Sequence, residues 1–470
     1  MNKPHANRVA ALLQDLRPEG RSPRGQPPRS LDERMRQLFT PGVSVAVVDG
    51  FELAWAGGFG VRKRGEQGAV SADTLFQAAS ISKPVFALAV MRLAKSGALD
   101  LDADINDYLV SWRVPDNRGW QPRVTLRQLL SHTAGTTEHG FAGYPASAPL
   151  PTLIEVLNGV PPANSGAIVV DLLPGLQARY SGGGTTIAQQ AVIDVLRRPL
   201  PDVMRELVLD PLRMTRSSFE QPLPARLAGD VAVAHGWDGA PIAGDWHTYP
   251  EAAAAGLWTT AADLARLASE LMRILRGDAS ALGIDRDAIS EMLMPQLPDQ
   301  KADGRYYGIG WLCFGQGEAF RFGHTGHNEG YLSSMWLLPE RGKAAIMLLN
   351  SNRGFPLREE IVAAIGRQYE WASSADTSEM VALSPDVDYA GTYRDAAGFM
   401  FHVAQSEDGL LLEFGGQKAL PLDPVAPLEF ASTALDLSVR FAVGEHGGTM
   451  SMTVNQAGKV IVATKSLPSG

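Results

Sequence analysis

Apolar positions follow strand spacing near both ends of residues 31–372 and helical spacing in the region between. The segments VSVAVVD (43–49) and ELAWAGGFG (52–60) flank a glycine and predict a β-hairpin. Further strands are predicted at FRFGHTG (320–326), YLSSMWLLP (331–339) and KAAIMLLN (343–350). Strands at both ends with helices between them predict an α/β (α+β) domain, whose sheet is interrupted by a long helical insertion.

The pattern changes after Pro385, where short alternating segments are separated by glycine-bearing turns. This pattern predicts a small antiparallel β domain over residues 385–470, either a sandwich or a barrel. At the other end, residues 1–40 are locally basic, and residues 1–30 form an N-terminal extension whose stretch 17–30 is rich in proline, arginine and glycine. That composition predicts an extended, irregular connector at 17–30 before a short helix at 31–39.

Composition argues against several classes of function. The chain has 470 residues, which favours two domains, and its net charge of −9 argues against a nucleic-acid binder, which needs a basic face. The single cysteine, Cys313, lies in an apolar run and is expected to be a buried core residue. The sequence shows no signal peptide and no apolar stretch of about 18–20 residues, so we expect a cytoplasmic protein without membrane contact.

Candidate chemistry begins at Ser80-x-x-Lys83, at the start of a predicted helix that runs to about Lys95. A serine and a lysine three residues apart share one helix face, with their Cβ atoms about 5–6 Å apart. The helix N-terminus adds partial positive charge and free backbone N–H groups, which suit a nucleophilic hydroxyl and the oxyanion that its attack creates. The alternative interpretation is a helix cap followed by a solvated lysine.

Two further motifs follow in order, Y-S-G at residues 180–182 and H-T-G at residues 324–326, the second ending a predicted edge strand. With the strings around them, the chain resembles the penicillin-recognising serine hydrolases: class C β-lactamases, D-alanyl-D-alanine carboxypeptidases, D-aminopeptidases and family VIII esterases. The strings that carry the resemblance are LFQAASISKPVFALAVMRLAKSGALDLD, LRQLLSHTAGT, YSGGGTTIAQQ, AAAAGLWTTAADLARL and FGHTGHNEGY.

This resemblance implies a fold for each part of the chain. Residues 31–372 would form a serine β-lactamase-like domain, with an antiparallel sheet flanked by helices and a helical subdomain. Residues 385–470, which begin near VDYAGTYRD, would form the small lipocalin-like domain that some members carry.

The resemblance also implies a role for each motif. It gives Ser80 as the nucleophile, Lys83 as its partner and Tyr180 as the general base, with His324 as a further catalytic residue. The remaining implied site residues are the oxyanion hole, formed by the backbone N–H groups of Ser80 and His327, and the substrate-binding residues Gly182, Thr325 and Gly326. The expected course is acylation of Ser80 followed by hydrolysis of the acyl-enzyme.

A tyrosine base needs activation. Its free pKa of about 10 has to fall by about three units for work at neutral pH, which corresponds to roughly 4 kcal/mol. One ammonium about 4 Å away supplies a similar amount at an effective dielectric near 20. We therefore expect Lys83 to lower the pKa of Tyr180 and the two groups to titrate as a coupled pair.

Two departures from the family pattern bear on the substrate. His324 stands where β-lactamases and carboxypeptidases usually carry a lysine, and a histidine with a pKa of about 6.5 is mostly neutral at pH 7 and anchors an anion poorly. Gly182 replaces the asparagine whose amide holds the acylamino arm of β-lactams and peptides. Both changes favour a carboxylesterase-type activity on a small ester, amide or short peptide.

Several alternatives stay open within and outside enzymes. They are a D-amino-acid peptidase or amidase, a weak β-lactamase, an acyltransferase, and a catalytically silent sensor of acyl compounds. No cofactor is expected, and a metal site at His324, His327 and Glu329 is disfavoured because the helical H-E-x-x-H context is missing. His132 is expected to be structural, whereas a group of aromatic residues either lines the cleft or packs in the core: Trp237, Trp246, His247 and Tyr249.

Overall fold

The computed structural model describes residues 3–17, 28–297, 304–371, 387–406, 409–415, 419–426, 428–432, 437–444, 449–456 and 459–466. Within these residues the chain divides into two compact units. The first unit is made from Met1–Gln14 and Ser30–Trp371, and the second from Asp15–Arg29 and Ala372–Gly470. The predicted connector at 17–30 and the linker after residue 372 lie largely outside the described residues.

The first unit combines helices with an antiparallel sheet. Its helices are α1 Lys3–Leu12, α2 Leu31–Gln37, α3 Ser82–Lys95, α4 Leu126–Leu130, α5 Leu153–Asn158, α6 Gly182–Leu196, α7 Leu200–Met204, α8 Ala252–Ala255, α9 Ala261–Arg276, α10 Arg286–Met292 and α11 Phe355–Gln368. Its strands are β1 Gly42–Asp49, β2 Glu52–Gly60, β3 Phe76–Gln77, β4 Trp258–Thr259, β5 Arg305–Tyr307, β6 Leu312–Phe314, β7 Arg321–Asn328, β8 Tyr331–Leu338 and β9 Lys343–Leu349.

The main sheet has the strand order β2-β1-β9-β8-β7-β6-β5, with every neighbouring pair antiparallel. Both of its faces are covered. Ala46 and Val48 of β1 pack in one core with α9, while Val45 and Val47, which alternate with them, point to the opposite face, where α11 contacts β8 and β9. Long helical segments separate β2 from β5, as the interrupted-sheet prediction requires.

Local sequence signals explain where several helices begin and end. Thr260 caps α9, because its side chain accepts the N–H of Asp263 at 3.1 Å, and Gly277 ends the helix with φ +104°. The apolar spacing of residues 124–136 predicts an amphipathic helix that ends in a glycine-bearing loop, but α4 already stops at Leu130. The chain turns away at His132, whose φ of +62° does not fit a right-handed helix.

The second unit is a closed antiparallel barrel, one of the two architectures that its sequence allowed. Its eight strands are β10 Gly391–Asp395, β11 Met400–Ser406, β12 Gly409–Phe414, β13 Leu420–Ala426, β14 Glu429–Ser432, β15 Leu437–Val443, β16 Thr449–Gln456 and β17 Lys459–Lys465. Inward side chains fill the interior, where the ring of Tyr389 packs edge-on against Phe430 and Phe441.

The fold prediction is therefore confirmed: a mixed helix-and-sheet domain followed by an all-β domain. Among the described residues, no helix combines the length and apolar character needed to cross a membrane.

Candidate active site

Ser80 lies in a tight turn between a short strand and a long helix. Residues Ala79–Ile81 form one helical turn before α3, so the helix itself begins at Ser82, two residues later than predicted. The turn is fixed from inside: the Ser82 hydroxyl donates to the Ala79 carbonyl at 2.5 Å and accepts the N–H of Leu257 at 2.9 Å. Ala79 has φ +50°, an unusual conformation for alanine that the surrounding bonds maintain.

Strand β7 runs directly alongside this turn. A Cβ atom on Gly326 would lie 2.4 Å from the Ala78 carbonyl oxygen and 2.3 Å from the Ser333 hydroxyl, so only glycine permits this approach. Ser333 of β8 reinforces the contact by donating to the same Ala78 carbonyl at 2.7 Å. The segment that carries His324 and His327 is thereby held beside the nucleophile candidate.

The edge-strand prediction for the H-T-G motif needs a correction. β7 lies inside the sheet between β6 and β8, and the strand continues past the motif to Asn328. However, β6 is only three residues long and pairs with residues 321–323, so residues 324–328 extend beyond it and run next to the Ser80 turn. β7 is therefore an internal strand at residues 321–323 and lacks β6 as a neighbour from residue 324 onwards, which is where the H-T-G motif begins.

Ser80 and Lys83 form a direct hydrogen bond. The Lys83 Nζ atom donates to the Ser80 Oγ atom at 3.0 Å and to the Ala254 carbonyl oxygen at 2.9 Å. The lysine side chain is only 3% exposed, and this burial lowers the pKa of Lys83 from 10.5 to about 7. A substantial fraction of Lys83 is therefore an uncharged amine at neutral pH, within hydrogen-bond distance of the Ser80 hydroxyl.

Tyr180 completes this group, in an electrostatic state that differs from the sequence-based expectation. Burial raises the pKa of Tyr180 well above 10, and a hydrogen-bonding interaction with Ser80 lowers it only in part. The lowering expected from Lys83 does not occur, because desolvation acts against the charged forms of both groups. Tyr180 is thus a neutral phenol, surrounded at 4.4–6.1 Å by the rings of His132, His139, His324 and Tyr307 and by the Lys83 Nζ atom at 4.9 Å.

His324 is a neutral imidazole with a defined hydrogen-bond polarity. Its side chain is 4% exposed, and burial, together with the nearby Lys83, lowers the pKa of His324 to about 3. Its Nδ1 atom lies 2.5 Å from the Thr325 carbonyl oxygen, which can only accept, so Nδ1 carries the proton. The buried Nε2 atom is then an acceptor, and it has no hydrogen-bond partner among the described residues.

The second motif begins α6. Ser181 caps the helix, accepting the N–H of Gly184 at 3.0 Å, and its own N–H donates to the Nδ1 atom of His132 at 3.2 Å. This bond and the ring contact with Tyr180 support the structural role expected of His132. A Cβ atom on Gly182 would lie 3.0 Å from the ring of Phe141, so Phe141 occupies the space next to the position where the family pattern has asparagine.

The four aromatic residues singled out in the sequence separate into two groups. Tyr249 is fully buried, and Trp246 packs edge-on against the buried Trp258 at 5.4 Å, so these two belong to the core. Trp237 is exposed, and His247 is half-buried, with its Nδ1 atom 3.0 Å from the Ala142 carbonyl oxygen. Two of the four residues therefore pack in the core, and the other two lie nearer the surface.

Three contributors were not foreseen as site residues. The Ala254 carbonyl binds Lys83, and the Phe141 ring lies beside Gly182. Asn352 follows β9, and its side-chain oxygen contacts the Nε2 atom of His327 at 3.2 Å. The role of a backbone carbonyl, and the contacts of Phe141 and Asn352 with distant segments, cannot be inferred from a single sequence. Only the AAAAGLWTT string indicated the region of Ala254.

His324 and His327 do not converge on a common point. His324 bonds the Thr325 carbonyl, whereas His327 bonds Asn352 and packs edge-on against the ring of Phe355 at 5.2 Å. Within the described residues, no group of three or more histidine, cysteine, aspartate or glutamate side chains is arranged to hold a metal ion. Cys313 is buried in β6, as predicted, and burial raises the pKa of its thiol to about 12.

Comparison with known proteins places these features in a family. A family model described as Beta-lactamase matches residues 29–369. Penicillin-binding protein 4 from Amycolatopsis lactamdurans is 29% identical over 327 residues, which cover 66% of this chain and 81% of that protein. Esterase EstB from Burkholderia gladioli is 36% identical over 104 residues, which cover 22% of this chain and 26% of the esterase.

A solved structure extends the likeness in fold to nearly the whole chain. The octameric penicillin-binding protein homologue from Pyrococcus abyssi has a TM-score of 0.63 and is 21% identical, with 93% of this chain and 97% of that chain covered. Identity at this level speaks for the fold alone.

Proposed function

Because the chain belongs to the beta-lactamase family of serine hydrolases, we propose that it hydrolyses a small neutral ester through an acyl-enzyme formed on Ser80. The observation that carries this proposal is the 3.0 Å hydrogen bond between Ser80 and Lys83, whose buried amine has a pKa of about 7. An uncharged amine within hydrogen-bond distance of a hydroxyl is a base matched to neutral pH.

Acylation follows from this arrangement. The Ser80 oxygen attacks the ester carbonyl carbon while its proton passes to the Nζ atom of Lys83. The backbone N–H groups of Ser80 and His327 are proposed to stabilise the oxyanion, since β7 runs beside the Ser80 turn. When the tetrahedral intermediate collapses, the neutral phenol of Tyr180 donates its proton to the departing alcohol oxygen and regains one from the Lys83 ammonium.

Deacylation uses the same groups in the reverse sense. A water molecule attacks the acyl carbonyl carbon and gives its proton to Tyr180, which passes its own proton to the Lys83 amine. The Lys83 ammonium then protonates the Ser80 oxygen as it leaves. The raised pKa of Tyr180 makes this residue a proton donor in the resting state, rather than the base that the family resemblance implied.

The substrate preference rests on His324 and on the surroundings of Gly182. A buried, neutral imidazole supplies no positive charge for a substrate carboxylate, and its protonated Nδ1 already bonds the chain. Phe141 lies where a longer side chain at position 182 would reach for an acylamino group. Both features favour a neutral ester over a β-lactam or a peptide, and the partial match to an esterase agrees with this choice.

The pH dependence of kcat/KM should report the Lys83 amine. Lys83 has to be uncharged to accept the Ser80 proton, so kcat/KM is expected to fall about tenfold per pH unit below its pKa of about 7 and to reach a plateau above it. Hydrolysis of p-nitrophenyl butyrate, followed at a fixed wavelength where the extinction is pH-independent, measures the profile. A limb centred near pH 4–5 would contradict this assignment, because that value belongs to a carboxyl group.

A substrate panel tests the preference for neutral esters. The wild type is expected to turn over p-nitrophenyl butyrate at least about tenfold more efficiently than nitrocefin or D-alanyl p-nitroanilide, a difference of about 1.4 kcal/mol in transition-state binding. In His324→Lys, the added cation should raise the kcat/KM for the anionic nitrocefin relative to the neutral ester. Fast nitrocefin turnover by the wild type without ester hydrolysis would contradict the proposal, and an unchanged ratio in His324→Lys would remove His324 as the determinant.

A further inference from the structure

Trp237 is a large apolar side chain held at the surface. It is 61% exposed and lies in a tight turn in which the N–H of Gly236 donates to the Ala240 carbonyl at 2.9 Å. The preceding His235 is fully buried and its Nδ1 atom contacts the Asn350 carbonyl at 2.9 Å, which anchors the turn to the end of β9. The turn is therefore closed by a backbone hydrogen bond and anchored at its start by His235, and it presents an exposed indole.

The indole stacks on Phe355, the first residue of α11. Their ring centroids are 6.3 Å apart and their planes differ by 13°, so the two rings lie nearly parallel in a stacked arrangement. Phe355 also contacts the ring of His327 edge-on at 5.2 Å, and the Arg358 guanidinium lies 5.4 Å from its centroid. We call Trp237 and Phe355 the aromatic shelf.

The shelf is continuous with the proposed reaction centre. His327 is the residue on β7 proposed to stabilise the oxyanion, and its ring makes the contact with Phe355. The shelf is thus linked, through the ring of His327, to the residue whose backbone N–H is proposed to bind the oxyanion.

On this basis, and resting on the proposed function, we propose that the aromatic shelf binds an aromatic ring of the ester that Ser80 attacks. The exposed indole, backed by Phe355, offers an area that matches one planar ring, whereas a stable protein interface buries about 800 Å² on each partner. The neighbouring guanidiniums already have partners, since Arg358 donates to Glu359 at 2.8 Å and Arg64 to the Gly239 carbonyl at 3.0 Å. The shelf is therefore proposed to favour substrates with a planar, apolar ring.

Matched esters test this proposal in both halves of the substrate. Comparing kcat/KM for benzyl acetate and ethyl acetate tests a ring in the alcohol half of the ester. Comparing ethyl phenylacetate with ethyl butyrate tests a ring in the acid half. The release of acid is followed by pH-stat titration. The wild type is expected to prefer the aromatic member of at least one pair by about five- to tenfold in kcat/KM. The pair that shows the preference identifies which half of the ester lies on the shelf.

Variants then locate the preference. Trp237→Ala and Phe355→Ala should each reduce the aromatic preference to about twofold or less, while Trp237→Phe should retain part of it. Trp120→Ala removes another partly exposed tryptophan, outside the site, and is expected to keep the wild-type ratio. An equal preference in Trp237→Ala and the wild type would overturn the shelf, as would equal rates on both members of both pairs.

Binding to the Ser80→Ala protein separates the shelf from the proposed function. Calorimetric titration with benzyl acetate and ethyl phenylacetate should give dissociation constants about fivefold weaker when Trp237→Ala is added to Ser80→Ala. If the wild type hydrolyses no ester and this binding difference persists, the proposed function fails and the shelf stands. If binding is the same in both proteins, the shelf fails whatever the hydrolytic result.

Discussion

Ser80→Ala is expected to reduce kcat for p-nitrophenyl butyrate by at least about a thousandfold and to abolish labelling by a fluorophosphonate probe. The reason is direct: the attacking oxygen is removed, while the base and the proton donor have no other hydroxyl in place. The variant should fold normally, because it is the neighbouring Ser82 whose hydroxyl holds the turn, through Ala79 and Leu257. Stopped-flow or steady-state kinetics and gel-based probe labelling measure the two effects.

A control on the same helix guards against an indirect effect. Ser96 caps the far end of α3, where its hydroxyl donates to the Leu93 carbonyl at 2.9 Å, and Ser96→Ala should label and turn over like the wild type. Labelling that persists in Ser80→Ala would assign the nucleophile elsewhere. Absence of labelling in the wild type would favour the catalytically silent sensor.

Lys83→Met is expected to remove activity and to increase stability at neutral pH. Activity should fall by at least about a thousandfold, because the Ser80 proton loses its acceptor. Stability should rise because a buried amine that prefers water is replaced by an apolar side chain of similar length. The lowering of the pKa from 10.5 to about 7 corresponds to an upper bound of about 5 kcal/mol, of which the unpaired Ala254 carbonyl offsets about 1–3 kcal/mol.

The stability gain should depend on pH in a defined way. Below pH 7 both the folded and the unfolded chain carry the proton, so the wild type bears the full cost of the buried charge. Between pH 7 and 10.5 the folded chain has released this proton while the unfolded chain keeps it, and the cost disappears as pH rises. The difference in Tm between Lys83→Met and the wild type should therefore shrink from pH 7 to pH 10.

Lys95→Met provides the matched control. Lys95 lies at the exposed end of the same helix, where it pairs with Asp285 at 2.5 Å, so its removal should change neither activity nor the pH dependence of Tm. A Lys83→Met protein that is less stable than the wild type at every pH would contradict the lowered pKa of Lys83.

Short-range features of the fold were readable from the sequence. The hairpin of β1 and β2 and the end of α3 at Lys95 lie where alternation and the Ser96-Gly97 stop signal put them. Strands β10, β13 and β14 were not identified in advance. β13 contains Pro421 and Pro424, which are disfavoured in paired strands, and β10 and β14 are only five and four residues long.

The electrostatics of the site could not be read from the sequence in the same way. The i, i+3 spacing of Ser80 and Lys83 predicts their proximity, and the structure places the two side chains in contact. The charge state of Lys83 depends instead on its burial beneath a helix 170 residues away, whose Ala254 carbonyl is its second partner. Desolvation is a property of the packed molecule, so the expectation that the Lys83 ammonium lowers the pKa of Tyr180 has the direction of that pKa shift wrong.

The pairing of β1 with β9 has a consequence for how the protein is made and cut. Val43 pairs with Leu349, so the first strand of the sheet waits during synthesis for a partner about 300 residues later. The hydrolytic centre then assembles only when nearly all of the first unit has left the ribosome. The same pairing would hold the two halves together after a single proteolytic cut in the helical region, because each half retains strands of one hydrogen-bonded sheet.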